Sequence, residues 1–341
     1  MTWFDESRLD DEIALGSADL RLRTLAESGS RVRREAGGAT EAIAEAVTRA
    51  SDSRPRAVIA AGPDSRLLRA VLEPWCPVPF VAWPSAGLPG WAGSLDLVVV
   101  LAPEGADAEA ASAVAEAARR GCQVVVACPP DSMVAQHAAG RWSTILPTVT
   151  GDQLATAVVT LSFLHQVDLG PTADADAVAE ALDAVAIACG PGRDISINPA
   201  KMLAISLADA NPLVWGGSVL AARAARRVAE SIRRTSGRTA LAGDAEHLLP
   251  VLEAARPRNV FADPFADGAG DRRPVLVVLD DEADDPLVRE QLGRLEEAAR
   301  GHDVRVELVT ADAEGEVARY ASLLLSGTYA AEYLRLGLVE E

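Results

Sequence analysis

The stretch VVVLAPEGADAEA, Val98 to Ala110, has the layout of a phosphate-binding turn: an apolar strand, a short loop with one glycine, then a helix start. An anion held there needs donors, either hydroxyls, oriented backbone N–H groups or cations. The loop instead carries Glu104 and Asp107 around Gly105. Ionised carboxylates only accept hydrogen bonds, and they repel a dianion. Two unit charges about 4 Å apart repel by roughly 4 kcal/mol at an effective dielectric near 20. PEGADAEA contains no arginine to offset this. The same acids also suit a solvated connector leading into a helix.

Metal chemistry finds no support in the spacing. His137, His165 and His302 stand in unlike contexts, so no metal site is expected. Cys76, Cys122, Cys128 and Cys189 lie at spacings that suit neither a metal knuckle nor a redox pair. Cys122 and Cys128 flank the apolar run QVVVA and fit small core positions. No cofactor is expected.

The elements that must position the loop alternate along the chain. RAVIAAG (56–62), VPFVAW (78–83), LDLVVVLA (95–102) and CQVVVAC (122–128) have the unbroken apolar character of strands buried on both faces. SRLLRAVLE, DAEAASAVAEAARR and TGDQLATAVVTLSFLHQV have helical patterns. DLGPTADADA (168–177) is the best linker. Beyond it the pattern starts again: NPLVWGG as strand and glycine turn, SVLAARAARRVAESIRR as a helix, and TALAGDAEHLLPVLEAA as strand-turn-helix or mostly helix. RNVFAD, RPVLVVLDD and DVRVELVTA follow as strands, and the tail supplies one or two helices. The expected architecture is α/β, two doubly wound parallel-sheet domains of flavodoxin-like type spanning 1–167 and 168–341.

Composition narrows the function classes. The chain has 341 residues and is 49% hydrophobic but only 4% aromatic, so its cores must be built from Ala, Val and Leu. A net charge of -18 argues against nucleic-acid backbones and anionic membranes. No apolar run approaches a membrane span, and the acidic start MTWFDESRLDDE shows no secretory pattern. A cytoplasmic protein with reduced thiols is expected.

No G-x-G-x-x-G follows either leading strand, which weakens a dinucleotide reading. The order of VIAAGPDSRLLRAVL, PVPFVAWPSAGLPGWAGSLDLVVVLAPEGADAEA, AARRGCQVVVA, INPAKMLAISLADANPLVWGG and ASLLLSGTYAAEYLRLG resembles the sugar isomerase (SIS) fold. Within that fold it resembles the bifunctional phosphoglucose/phosphomannose isomerase family. The resemblance implies that Ser65 belongs to a serine-bearing turn after the first strand, where Pro63 and Asp64 replace two glycines. It also implies that Ala102, Glu104, Gly105 and Asp107 occupy the family's Ser-x-Ser-Gly-x-Thr phosphate loop, of which only the glycine is kept.

Aldose–ketose isomerisation needs a base at the C1 and C2 protons and an acid/base for ring opening, roles natural to a carboxylate and a histidine. The family's base falls at Arg234 or a neighbour; Glu230, one turn earlier, or Glu246 could substitute. His247 lies within a few residues of the family histidine, which reaches a neighbouring subunit's site. Asp244 and Glu246 equally suit the acidic first turn of a helix. Lys201 in NPAK either faces a sugar oxygen or covers a helix surface. Three functions follow: a phosphosugar isomerase with activity reduced or lost, a non-catalytic carbohydrate-derivative sensor, or a structural subunit. A sugar phosphate or other carbohydrate derivative and a homodimeric copy are the expected partners.

Overall fold

The computed structural model describes residues 2–50, 54–255 and 272–340, so RNVFAD lies outside the described residues. The chain forms two compact units: Met1–Glu27 together with Ala181–Glu341, and Ser28–Glu180. The leading residues therefore group with the C-terminal half, although the sequence pattern places them in a 1–167 domain. The first unit opens with β1 (Thr2–Phe4), a 3-10 turn at Glu6–Leu9, and α1 (Glu12–Ala26), whose first turn is capped by Asp11.

The Ser28–Glu180 unit runs α2 (Ser28–Ala50), β2 (Val58–Ala61), α3 (Ser65–Leu72), β3 (Phe80–Trp83), β4 (Leu97–Leu101), α4 (Ala108–Arg120), β5 (Gln123–Cys128), α5 (Met133–His137), β6 (Ser143–Pro147) and α6 (Gln153–Gln166). α7 (Ala175–Cys189) begins in this unit and ends in the other. Its five strands pair in the order β3-β2-β4-β5-β6, all parallel. β2 and β4 are buried at every position, as their unbroken apolar sequences require. Between β4 and β5, Gly121 terminates α4 in the left-handed conformation with φ 72°. β6 has the mixed sequence STILP and gave no strand signal in the sequence.

The second half continues with α8 (Pro199–Ala208), β7 (Ala210–Gly216), α9 (Val219–Ser236), β8 (Leu241–Ala242), α10 (Ala245–Glu253), β9 (Arg273–Asp280), α11 (Pro286–Gly301), β10 (Arg305–Thr310), α12 (Glu316–Gly337) and β11 (Leu338–Glu340). Its parallel sheet has the order β10-β9-β7-β8. The tail is one helix: α12 buries residues around its whole circumference, including Tyr320, Tyr329 and Tyr333. β11 pairs antiparallel with β1, Thr2 opposite Glu340 and Phe4 opposite Leu338.

Candidate functional site

In the Ser28–Glu180 sheet the winding direction reverses between β2 and β4, and open α/β sheets bind ligands at the carboxyl ends of the strands at such a point. Two turns meet there. The first follows β2: the Gly62 carbonyl, at φ 88°, takes a hydrogen bond from the Ser65 N–H (3.1 Å), and a Cβ on Gly62 would lie 3.4 Å from Ala110 in the first turn of α4. Ser65 opens α3. It is buried, and its hydroxyl has no hydrogen-bond partner.

The second turn is Ala102–Asp107. Gly105 has φ 68°; its N–H donates to Ala102 (2.9 Å) and its carbonyl accepts from Val134 (3.1 Å). A Cβ there would fall 2.2 Å from that of Ser132, so backbone sign and packing both demand glycine. Its retention needs no phosphate to explain it. Asp107 caps α4 by accepting from the Ala110 N–H at 2.6 Å, which occupies a donor that a bound anion would use. Glu104 is exposed, and among the described residues neither Glu104 nor Asp107 forms an ion pair. The helix terminus is thus already filled by a carboxylate of the chain itself.

Apart from Asp64, the polar residues that support this point were not singled out by sequence. The Asp64 carboxylate accepts from the Gln153 side-chain amide at the head of α6. Asp152 caps α6 and pairs with Arg31 of α2 at 2.9 Å. One turn along α2, buried Glu35 accepts from the Val149 N–H (2.9 Å) and the Thr150 N–H (2.5 Å). α2 therefore holds the loop between β6 and α6 through an acid and a base four residues apart. The only sequence trace of this is a charged pair at helical spacing in a helix whose other face is apolar.

The corresponding turn of the second unit is closed. Gly216 lies so near α9 that a Cβ would sit 2.3 Å from the Ala221 backbone, and one on Gly217 would meet Val288 at 2.2 Å. The Ser218 hydroxyl donates to Asp281 and accepts from the Ala221 N–H at 3.0 Å, so its one donor is not left for an anion. Asp280 ends β9, and Asp281 and Glu282 follow it at the same reversal point.

The proposed catalytic groups are not assembled with one another. Glu230 accepts from Arg227 (2.8 Å) and Arg234 (3.0 Å) on α9, a salt-bridged helix face. Glu246 and His247 are both exposed in the first turn of α10, behind Asp244, which pairs with Arg226 at 3.7 Å. Consecutive helical residues diverge by about 100° and do not face each other, so they form no dyad within one chain.

Lys201 requires a correction. It is fully buried in α8, and its ammonium donates to Asp10 (2.7 Å), the Pro191 carbonyl (2.9 Å) and the Arg193 carbonyl (2.8 Å). An ammonium has three donors, and all three are engaged. It also lies 5.5 Å from the Tyr333 ring centre. Lys201 thus faces neither a sugar nor the surface; it ties the leading segment to the C-terminal unit. Burial pushes the neighbouring Tyr333 hydroxyl well above the usual phenol range and Cys189 up to about 11.

Residues 196–337 match the bacterial phospho-glucose isomerase C-terminal SIS domain family. The chain carries an SIS domain. No curated protein matches it in sequence. Among solved structures, tagatose-6-phosphate ketose/aldose isomerase from Escherichia coli is similar at 14% identity, with 92% of this chain and 93% of that chain covered and a TM-score of 0.68. The C-terminal domain of glucosamine-fructose-6-phosphate aminotransferase from Francisella tularensis is similar at 12% identity, with 92% and 94% covered and a TM-score of 0.63. A glucose-6-phosphate isomerase like protein from Thermus thermophilus is similar at 17% identity, with 84% and 82% covered and a TM-score of 0.51. These likenesses show the SIS-type fold over both halves, as the resemblance in sequence implies. Among the described residues, no helix is long and apolar enough to cross a membrane.

Proposed function

We propose that this SIS protein binds a sugar derivative at the carboxyl edge of the β2–β6 sheet. Isomerisation of glucose 6-phosphate or mannose 6-phosphate to fructose 6-phosphate is reduced or lost. The carrying observation is the Ser65 hydroxyl, buried and unpartnered at the head of α3 where the sheet reverses. A buried hydroxyl without a partner costs about 1–3 kcal/mol, which a ligand bonding to it would recover. Around it Asp64, Glu104 and Asp107 accept hydrogen bonds, which suits the hydroxyls of a sugar and opposes its phosphate. The expected homodimer is tested by light scattering.

Thermal-shift titration with glucose, mannose and fructose 6-phosphates and the corresponding free sugars, with a coupled isomerase assay alongside, decides between the readings. A shift that Ser65→Ala abolishes, without turnover above background, supports the non-catalytic binder. Absence of any shift rejects the site. A catalytic reading rests on His247, exposed at the head of α10 and free of ion pairs among the described residues. Turnover that disappears in His247→Ala would establish it and reject lost activity.

A further inference from the structure

The amino edge of the Ser28–Glu180 sheet, opposite the sugar site, differs in composition from the rest of the chain. Because β2–β6 are parallel, every segment that leads into a strand lies along this edge. Trp75 precedes β3, Trp91 precedes β4 and Trp142 precedes β6; they are 55%, 48% and 56% exposed. The chain has only six tryptophans, so half of them lie exposed on one edge. With strands about 4.8 Å apart, the four steps from β3 to β6 make this edge about 20 Å long.

Arginines accompany them. Arg56 stacks 5.9 Å from the Trp91 ring centre while pairing with buried Asp96, and Arg141 lies 4.9 Å from that of Trp142. Arg54 and Arg141 form no ion pair among the described residues. Between them runs a groove: a cavity of about 320 Å³ that reaches Arg54 adjoins one of about 130 Å³ that reaches Arg141 and Trp142. The two share Ala50, Leu97, Gln123 and Phe163 in their walls, so the shared floor is apolar apart from Gln123. Asp168 is the one carboxylate lining either cavity among the described residues.

Exposed tryptophan and arginine around a small apolar depression form the composition of an interaction hot spot. On a chain of net charge -18, Arg54 and Arg141, exposed at the two ends of the groove, fix the sign of what they would receive. We propose that this edge docks an acidic segment of a partner protein. The segment's apolar side chains enter the groove above Phe163, and its carboxylates lie on Arg54 and Arg141. A second copy fits less well, because two-fold pairing of this edge would bring like arginines together. An anionic membrane would repel the remainder of the molecule.

The test uses the full chain and a fluorescently labelled short synthetic peptide alternating glutamate with leucine and phenylalanine, with a lysine-for-glutamate analogue as control. Anisotropy should show saturable binding of the acidic peptide with Kd below about 1 mM, weakening as salt rises. Arg54→Glu/Arg141→Glu, both exposed and hence compatible with folding, should weaken it at least about tenfold, as should Trp142→Ala. Both variants should keep the parent's melting temperature and its response to sugar ligands. No saturable binding, equal binding of the lysine peptide, or indifference to the variants overturns the proposal. So does loss of self-association in sedimentation, or of binding to phosphatidylserine vesicles, as the property these variants remove.

Discussion

Deleting one oxygen at Ser65 separates two kinds of buried hydroxyl. Ser65→Ala removes a group with no protein partner, so unfolding free energy should stay within about 0.5 kcal/mol or rise by up to about 1 kcal/mol, while ligand-induced thermal shift disappears. Lys201→Met should do the reverse. It strands Asp10 and two carbonyls, and with Asp10 partly exposed a loss of about 2–3 kcal/mol in chemical denaturation is expected, with sugar response retained. Cys122, Cys128 and Cys189 are buried and their thiols are raised by burial, Cys189 to about 11; Cys76 is half-buried. A native thiol titration at pH 8 should therefore find no more than the one accessible cysteine reacting before unfolding. At this scale the apolar run between Cys122 and Cys128 was enough to place both cysteines in the core. The sequence could not place Lys201, because an NPAK helix start looks the same whether its lysine faces water or a distant aspartate.

The two turns at the reversal point share a topology and differ in chemistry, and each can be tested by restoring or breaking one of them. Gly105→Ala imposes a positive φ on a side chain and drives it into Ser132, so a loss of about 1–3 kcal/mol is expected in thermal denaturation. Glu104→Ser/Asp107→Thr replaces two acceptors with hydroxyls and preserves a capping side chain on α4. Glucose 6-phosphate affinity, followed by calorimetry, should then rise by at least about tenfold, because carboxylate repulsion of roughly this range is removed. An unchanged affinity would show that the phosphate, if bound, lies away from this loop. Strands β2, β4, β5, β7 and β9 were legible because burial on both faces leaves an unbroken apolar run. β6 was not, since an edge strand of sequence STILP carries no such run. The Arg31, Glu35 and Asp152 support was invisible as well, because its partners are over a hundred positions apart.

On the scale of the molecule, the duplicated α/β plan followed from the alternation of apolar runs and helices, and the second start after residue 177 was plain in the sequence. What could not be seen is that the leading segment belongs with the later half. Phe4 fills the space left by Gly337, the Asp5 N–H donates to the Gly337 carbonyl at 2.8 Å, and Arg8 donates to the Leu336 carbonyl at 2.9 Å. Contacts of this kind depend on three-dimensional closure and leave no local period. Removing residues 2–10 should lower hydrogen-exchange protection in α8 and α12 while leaving β2, β4 and β5 protected.

The ladder between Thr2–Phe4 and Leu338–Glu340 also sets an order of events on the ribosome. Thr2–Phe4 pairs with a strand more than three hundred residues later, so it must wait unpaired while the intervening residues emerge. Both parallel sheets, β2–β6 and β7–β10, can form during that interval; the β1–β11 ladder cannot. A nascent chain stalled before Leu338 should therefore expose Thr2–Phe4 unpaired to proteases, and extension past Glu340 should close it.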